Sequence, residues 1–281
     1  TFYGGVNEIG GNKILIDDGE TCIFLDFGKS FSLRGKYYDW IDKPRIVNGI
    51  GDLLSLGIVP QIPGIYRRDL LSLGGLWKDN EKDVAVDAIV LSHAHADHAD
   101  YISLLREQIP VYMGEMTREI IETLEAERYS DIEFEITGFK ERPIVPRSDN
   151  VIKRDVRTFK TGKSTGEFAI DSISIEAVHV DHSLPGCYGF IIRTSDATIV
   201  YSGDLRMHGS HPQLTEDFVL RAAEAKPDLM LCEGTRIEEP SSLSEGDIFD
   251  TFRFFIDQCK NSFVFADFAY KDIDRFETFI G

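Results

Sequence analysis

The chain has 281 residues, of which 42% are hydrophobic and 28% charged, and its formal net charge is −18. This length and apolar content suffice for one large buried core, or for one domain and part of a second. Membrane-spanning helices are excluded because no apolar run reaches about 20 residues, and there is no signal-peptide pattern.

The acidic net charge bears on whether the protein binds nucleic acid. A net charge of −18 disfavours nucleic acid, because phosphate contacts need Lys and Arg. Local patches matter more than totals, and seven basic residues are candidates: Arg67, Arg68, Lys153, Arg154, Arg157, Lys160 and Lys163. Ordinary solvated surface is an equally good interpretation of each.

The four cysteines form no C-x-x-C pair, which favours buried free thiols and a cytoplasmic protein.

The N-terminal third predicts strands followed by a long connection. Residues 1–28 predict two or three short strands with glycine turns, ending near Asp26. Asp26 is expected either to orient a metal ligand or to cap its own loop. Residues 29–82 are rich in Gly, Pro and aromatics and predict an irregular segment with short helices at Ile50–Leu56 and Tyr66–Leu73.

The segment Ser92–His98 is the most informative part of the chain. It follows the apolar run Val86–Leu91 and places four ligand-type side chains in six positions: His93, His95, Asp97 and His98. A short apolar run that ends abruptly in polar residues predicts a buried strand with a loop at its carboxyl end. Imidazole and carboxylate groups suit zinc, and also manganese or iron. We therefore predict a metal-binding loop rather than a solvated His-rich turn.

The remaining elements alternate between helix and strand. Helices are predicted at Ala99–Glu107, Met116–Tyr129, Gln213–Ala225, Asp247–Lys260 and Asp272–Phe279. Strands are predicted at Pro110–Met113, Val156–Phe159, Phe168–Val180, Tyr188–Thr194, Thr198–Tyr201, Leu229–Cys232 and Ser262–Ala266.

Two metal ions need more ligands than one loop supplies. His179, His182 and Asp204 are the best further candidates, because His182 and Asp204 each follow a predicted strand. Spacing alone does not choose between His179 and His182. His208 and His211 are expected to be loop residues near the cleft.

Several motifs together resemble a known family. The H-x-H-x-D-H pattern after a strand resembles the signature of metallo-β-lactamase fold hydrolases. The opening Gly4–Asn12 and Phe24–Gly28, then Val180–Gly186, Tyr201–Leu205 and Cys232–Thr235, resemble the motifs of the β-CASP branch in the same order. Within that branch the chain is most similar to ribonuclease J and its archaeal-type relatives.

The resemblance implies a fold and a ligand set. The fold would be an α/β metallo-β-lactamase αββα sandwich with the start of an α/β β-CASP insert, the catalytic domain at 1–234 and the insert from 235 to 281. The cofactors would be two divalent metal ions, zinc first and manganese as the alternative. His93, His95 and His182 would bind one ion, Asp97 and His98 the other, and Asp204 would bridge them.

The resemblance also implies an activity. A hydroxide activated by both metals, and oriented by Asp97, would cleave RNA phosphodiesters, with single-stranded RNA as the substrate. Glu233 would support a histidine that assists the leaving group, although a capping or salt-bridged role is the ordinary alternative. Ser183 and Thr235 are expected to donate hydrogen bonds to phosphates. A homodimer is left open.

The chain departs from the family at its end. A complete member supplies another metal-ligating histidine after the β-CASP region, and no histidine follows His211. Phe263–Ala269 resembles the first β-CASP strand, so we expect the chain to be part of a longer protein with a weaker second metal site.

Two other functions remain open. A hydrolase of a small ester, thioester or phosphodiester would use the same metals, and the acidic charge favours it. A non-catalytic subunit is disfavoured because such proteins usually lose ligands from the first motif, which is intact here.

Overall fold

The computed structural model describes residues 1–39, 42–76, 86–127, 132–142, 151–161, 165–238, 243–259, 262–269 and 271–280. The candidate basic residue Lys163 lies outside the described residues. The chain divides into two compact units, Thr1–Phe159 with Ala169–Ile173, and Lys160–Phe168 with Ser174–Gly281.

The described residues contain thirteen strands, eight α-helices and three short 3₁₀ turns. The strands are β1 Phe2–Gly4, β2 Lys13–Asp17, β3 Cys22–Leu25, β4 Ala88–Val90, β5 Val111–Gly114, β6 Gly138–Lys140, β7 Val151–Lys153, β8 Val156–Phe159, β9 Thr165–Ile170, β10 Ile173–His179, β11 Tyr188–Arg193, β12 Thr198–Tyr201 and β13 Leu229–Leu231. The helices are α1 Phe31–Tyr37, α2 Gly51–Ser55, α3 Arg68–Leu73, α4 Ala96–Ala99, α5 Glu115–Glu127, α6 Pro212–Ala225, α7 Glu245–Gln258 and α8 Ile273–Ile280. Short 3₁₀ turns lie at Ile46–Asn48, Asp100–Leu104 and Ile132–Phe134.

The first unit is built on a six-stranded sheet in the order β1-β2-β3-β4-β5-β8. The pairs β1–β2 and β2–β3 are antiparallel, and the pairs from β3 to β8 are parallel. All three residues of β4 are fully buried, as expected for the centre of a parallel sheet. Because β3 and β4 run in the same direction, the segments that follow them, which begin with Asp26 and Leu91, leave the sheet at the same edge.

The second unit is built on a five-stranded sheet in the order β13-β12-β11-β10-β9. Strands β10, β11 and β12 are antiparallel neighbours, whereas β12 and β13 are parallel and are joined through α6. Helix α6 packs closely on β11, because a Cβ added to Gly189 would lie 2.4 Å from the Phe218 ring. Phe218 itself is fully buried.

Three of the predicted elements are wrong. The single strand predicted at Phe168–Val180 is a pair of strands, β9 and β10, with a turn at Asp171, whose φ is +45°. The helix predicted at Ala99–Glu107 is the short α4 followed by a 3₁₀ turn. Residues 262–269 contain no strand, and Phe263 is 95% exposed. A strand needs a partner edge, and none of the described strands pairs there.

The structure tests two predictions made from composition, namely buried free cysteines and the absence of membrane-spanning helices. All four cysteines are free, as predicted, but only Cys187 is buried, and Cys232 is exposed. The prediction of buried thiols is therefore wrong for the other three. Every described helix is too short or too polar to cross a membrane.

Candidate metal centre

The loop that follows β4 is held by backbone hydrogen bonds from two other segments of the first unit. Phe27 N donates to His98 O at 2.9 Å, and Lys29 N donates to Ala96 O at 3.0 Å. From the N-terminal segment, Asn12 N donates to Asp97 O at 3.0 Å. These bonds fix the backbone of the loop, so its side chains are presented from a rigid base.

His98 is oriented by a buried carboxylate. Its Nδ1 lies 2.6 Å from Asp26 Oδ2, and both side chains are buried. Asp26 also accepts from Ser92 N at 2.7 Å and from Ser92 Oγ at 2.8 Å. Because a carboxylate accepts, His98 Nδ1 carries the proton and Nε2 keeps a lone pair, the arrangement that metal-ligating histidines use. Of the two predicted roles of Asp26, orientation of this histidine is the one that these contacts support.

His93 and His95 face each other through their ring nitrogens. His93 Nε2 lies 3.0 Å from His95 Nδ1, and His93 Nδ1 lies 3.0 Å from Ser92 Oγ. Two nitrogens bound to one tetrahedral zinc ion at about 2.05 Å would be roughly 3.3 Å apart. The observed separation is close to that value, so the two imidazoles fit a shared metal ion.

Asp97 is packed against the glycine-rich opening of the chain. Its Oδ2 lies 3.8 Å from His98 Nε2, and a Cβ added to Gly10 would lie 2.5 Å from Asp97 Cβ. Gly10 also has a φ of +77°, a conformation that side-chain-bearing residues rarely adopt. The opening motif thus shapes the surroundings of Asp97.

The second unit carries the remaining ligand candidates on two loops. His182 follows β10 and Asp204 follows β12, and His182 Nε2 lies 3.7 Å from Asp204 Oδ2. Both side chains are partly exposed, at 18% and 27%. Asp204 comes directly after Gly203, whose φ of +55° turns the chain at the strand end. The pair suits metal ligation, since an imidazole and a carboxylate lie side by side.

His179 has different surroundings from His182. Its Nε2 lies 2.9 Å from Thr161 Oγ1, and its ring packs on Tyr188 with centroids 4.5 Å apart. Burial lowers the pKa of His179 below its usual value. These contacts make His179 a histidine on the strand face, which the sequence had left undecided.

The other predicted site residues lie on loops of the second unit. Glu233 Oε2 accepts from Thr235 N at 2.8 Å, and Glu233 N donates to Ser202 Oγ at 3.0 Å. The Glu233 carboxylate therefore caps the turn after β13, which is the ordinary alternative considered above. Thr235 is exposed and Ser183 is partly exposed, so phosphate binding by either stays a prediction.

Two of the candidate basic residues are structural. Arg67 is fully buried, pairs with Asp69 and Glu135, and stacks on Phe139 at 3.5 Å. Arg154 is also buried, donates to main-chain carbonyls, and has a pKa lowered by burial to about 9. Neither can contact phosphate, so the prediction of a basic patch is wrong for these two residues.

Two residues with direct contacts to the site were not assigned from the sequence. Asn12 Nδ2 lies 3.0 Å from His98 Nε2. Arg206 lies two residues after Asp204 and pairs with Asp181, the neighbour of His182. Both lie inside or beside the quoted motifs, but an isolated Asn or Arg carries no spacing pattern that indicates a role.

Comparisons with known proteins agree with the fold. The family model of the β-lactamase superfamily domain matches residues 76–251, more than half of the chain. A crystal structure of a protein of unknown function from Enterococcus faecalis V583 matches with a TM-score of 0.74 at 25% identity, covering 100% of this chain and 62% of that one. The chain therefore belongs to the metallo-β-lactamase superfamily, and the predicted α/β fold is confirmed.

Among curated proteins, the chain is similar to ribonuclease J from several organisms. Ribonuclease J of Corynebacterium glutamicum is 23% identical over 273 residues, covering 95% of this chain and 30% of that protein. Ribonuclease J of Mycolicibacterium smegmatis is 26% identical over 291 residues, covering 100% of this chain and 41% of that protein. The predicted resemblance to ribonuclease J is confirmed, and the chain spans less than half the length of these two relatives.

Proposed function

We propose that this chain carries the metal-binding half of a ribonuclease that hydrolyses RNA phosphodiester bonds. His93, His95 and His182 would hold one divalent ion and Asp97 and His98 a second, with Asp204 shared between them. Zinc suits this donor set best, with manganese second. Bound there, the metals would lower the pKa of a water molecule and stabilise charge on phosphoryl oxygens.

The metal part of the proposal depends on one observation above all. The carboxylate of Asp26 holds the Nδ1 proton of His98, and the neighbouring His93 and His95 bring two ring nitrogens to 3.0 Å. Three imidazoles lie close together on one loop, and such clusters of ionisable side chains are typical of functional sites. The orientation of the rings matches the chemistry of metal ligation.

The RNA part is supported by the relatives alone. The curated proteins quoted above are named ribonuclease J, and the match extends over nearly the whole chain. Within the site, Asp97 would orient the attacking water, Glu233 would support a histidine that assists the leaving group, and Ser183 and Thr235 would bind phosphate oxygens.

One alternative has an observation in its favour. The net charge is −18, and Arg67 and Arg154 are buried in internal hydrogen-bond networks. Less basic surface is therefore available for RNA than the sequence suggested. A hydrolase of a small ester, thioester or phosphodiester would need no such surface.

The test measures metal binding and cleavage in the same preparations. The chain would be stripped with a chelator, reloaded with zinc or manganese, and assayed on 5′-labelled single-stranded RNA. His95→Ala removes a proposed ligand, and His211→Ala, an exposed histidine at the start of α6, is the matched control. We expect metal-dependent cleavage in the unaltered chain and the control, and none in His95→Ala.

Two results would contradict the proposal in different ways. Stoichiometric metal binding without RNA cleavage would reject the ribonuclease and favour the small-molecule hydrolase, to be tried on esters and cyclic phosphodiesters. Equal metal binding in His95→Ala and the unaltered chain would reject the metal centre itself.

A further inference from the structure

One guanidinium in the second unit lies between two carboxylates from different parts of the chain. The Arg206 side chain is only 9% exposed, and its Nε lies 3.3 Å from Asp181 Oδ1. Its terminal nitrogen pairs with Asp274 Oδ2 at the other side. Asp181 immediately precedes His182, Arg206 follows Asp204 by two residues, and Asp274 lies in the first turn of α8.

The two loops that carry His182 and Asp204 are also joined through their main chains. Arg206 N donates to Asp181 O at 2.8 Å. The buried hydroxyl of Thr215 donates to Arg206 O at 2.9 Å, and it accepts from Asp181 N at 3.0 Å. Three hydrogen bonds therefore fix residue 181 against residue 206, in addition to the ion pair.

The ion pair between Arg206 and Asp181 is buried, so water solvates its charges poorly. A Cβ added to Gly209 would lie 2.2 Å from Arg206 Nε and 2.4 Å from Asp181 Oδ2, which shows that the turn packs directly on the pair. Asp181 Oδ2 is buried and makes no hydrogen bond to the described residues. Removing the arginine would leave a buried carboxylate without its ion-pair partner, which is costly.

Helix α8 holds the same loop from the other side. Asp274 Oδ2 accepts from Ser210 N at 3.2 Å. Arg275, next to it in α8, makes two hydrogen bonds to Glu245, at 3.1 and 2.8 Å. Glu245 N in turn donates to His208 O at 3.1 Å. The loop after Asp204 is therefore hydrogen-bonded both to the loop of His182 and to helices α7 and α8.

We infer that Arg206 is a positioning residue that sets the separation of His182 and Asp204 and links it to α8. The inference rests on the proposed function, which makes His182 and Asp204 metal ligands. His182 Nε2 and Asp204 Oδ2 are 3.7 Å apart, close to the roughly 3.3 Å of two ligands on one tetrahedral ion. Only a planar guanidinium presents donors in two fixed directions at once, so lysine cannot replace it.

The test compares three variants of the whole chain. Arg206→Lys keeps the charge but loses the planar guanidinium, which donates in two directions. Asp274→Asn weakens only the contact to α8. Arg221→Lys is the matched control. Arg221 lies on α6 of the same unit and pairs with Glu176 at 3.0 Å, with its side chain 43% exposed. Zinc affinity is measured by competition with a coloured chelator, and the coordination geometry by the visible spectrum after cobalt(II) loading.

We expect Arg206→Lys to weaken zinc binding by about 10- to 100-fold, the range for residues that orient metal ligands. Asp274→Asn should weaken it less, and Arg221→Lys not at all. The cobalt spectrum should change in Arg206→Lys, and thermal melting of the metal-free proteins shows whether each variant still folds. A purely structural arginine would lower the melting temperature and leave the cobalt spectrum of the folded protein unchanged.

The outcomes separate this inference from the proposed function. If the unaltered chain binds no zinc, the proposed function fails and this inference fails with it. If the unaltered chain binds zinc and Arg206→Lys has the same affinity and cobalt spectrum, only this inference is overturned. If Arg206→Lys does not fold, Asp274→Asn decides, and an unchanged affinity and spectrum there overturn the link to α8.

Discussion

At the scale of single residues, Lys13 is a charged side chain buried in the first unit. It is 1% exposed, its Nζ donates to Gly11 O at 3.0 Å, and it lies over the rings of Phe27 and Tyr101 at 5.7 and 5.5 Å. Burial lowers its pKa to about 8. In the unfolded chain the pKa would be near 10.4. Keeping the charge buried below pH 8 therefore costs about 3 kcal/mol of stability.

That cost predicts a dependence on pH. Above pH 8 the folded protein releases a proton that the unfolded chain still holds, so the cost disappears between about pH 8 and 10.4. The free energy of unfolding of the unaltered chain should gain about 3 kcal/mol on that of Lys13→Met between pH 7 and 11. Urea titrations of both proteins measure the difference, in which other titrating groups cancel. A difference that does not change with pH would contradict the buried charge.

Asp26 is the second residue whose role can be tested alone. Its φ of +57° is one that Asn also tolerates, so Asp26→Asn should keep the backbone. The variant loses the carboxylate that accepts from His98 and Ser92. We expect zinc affinity to fall about 10- to 100-fold. Competition with a chelator measures this, and Asp17→Asn, at the exposed end of β2 in the same unit, should bind zinc like the unaltered chain.

At the scale of elements, close packing around the metal-binding loop depends on Gly28. A Cβ there would lie 1.6 Å from Asp97 O and 2.4 Å from His98 N. Gly28→Ala must displace the loop, and we expect a loss of at least about 3 kcal/mol in stability and of zinc binding.

Gly35 in α1 is the matched control for that substitution. A Cβ at Gly35 meets no atom within 4 Å, so Gly35→Ala should be neutral or stabilise by up to about 1 kcal/mol. Denaturant midpoints of the two variants provide the measurement. Equal midpoints would mean that the loop is free to move away from residue 28.

The elements that sequence patterns predicted well are those with strong periodicity or burial. Strand β12 was predicted with its observed bounds, and α6 to within one residue. Helix α1 was missed because its seven residues include a glycine and no buried residue. Its N-cap, Ser30, accepts from Leu33 N, but one serine in a long irregular segment is a weak indication. The split of Phe168–Val180 was missed because the turn uses Asp171, not glycine.

At the scale of the whole molecule, bound metal should raise the free energy of unfolding, because only the folded chain presents the proposed ligands together. With free zinc at 100 times its dissociation constant, the free energy of unfolding should rise by about 2.7 kcal/mol. Hydrogen exchange should slow at residues 93–98 and also at 181–186 and 202–206. His95→Ala should abolish the protection at residues 93–98. Unchanged exchange at residues 93–98 after zinc addition would contradict the proposed metal-binding loop.

The sequence by itself determined the family and the first metal-binding loop. Four ligand-type side chains in six positions after an apolar strand are local information, so they need no knowledge of distant contacts. The parallel order of β3 and β4, and with it the pairing of Asp26 with His98, came only from the tertiary structure. The same is true of the burial of Arg67 and Arg154 and of the bridge that Arg206 makes. Arg206 and Asp181 are 25 positions apart and His98 and Asp26 are 72 apart, and no local pattern specifies such pairings.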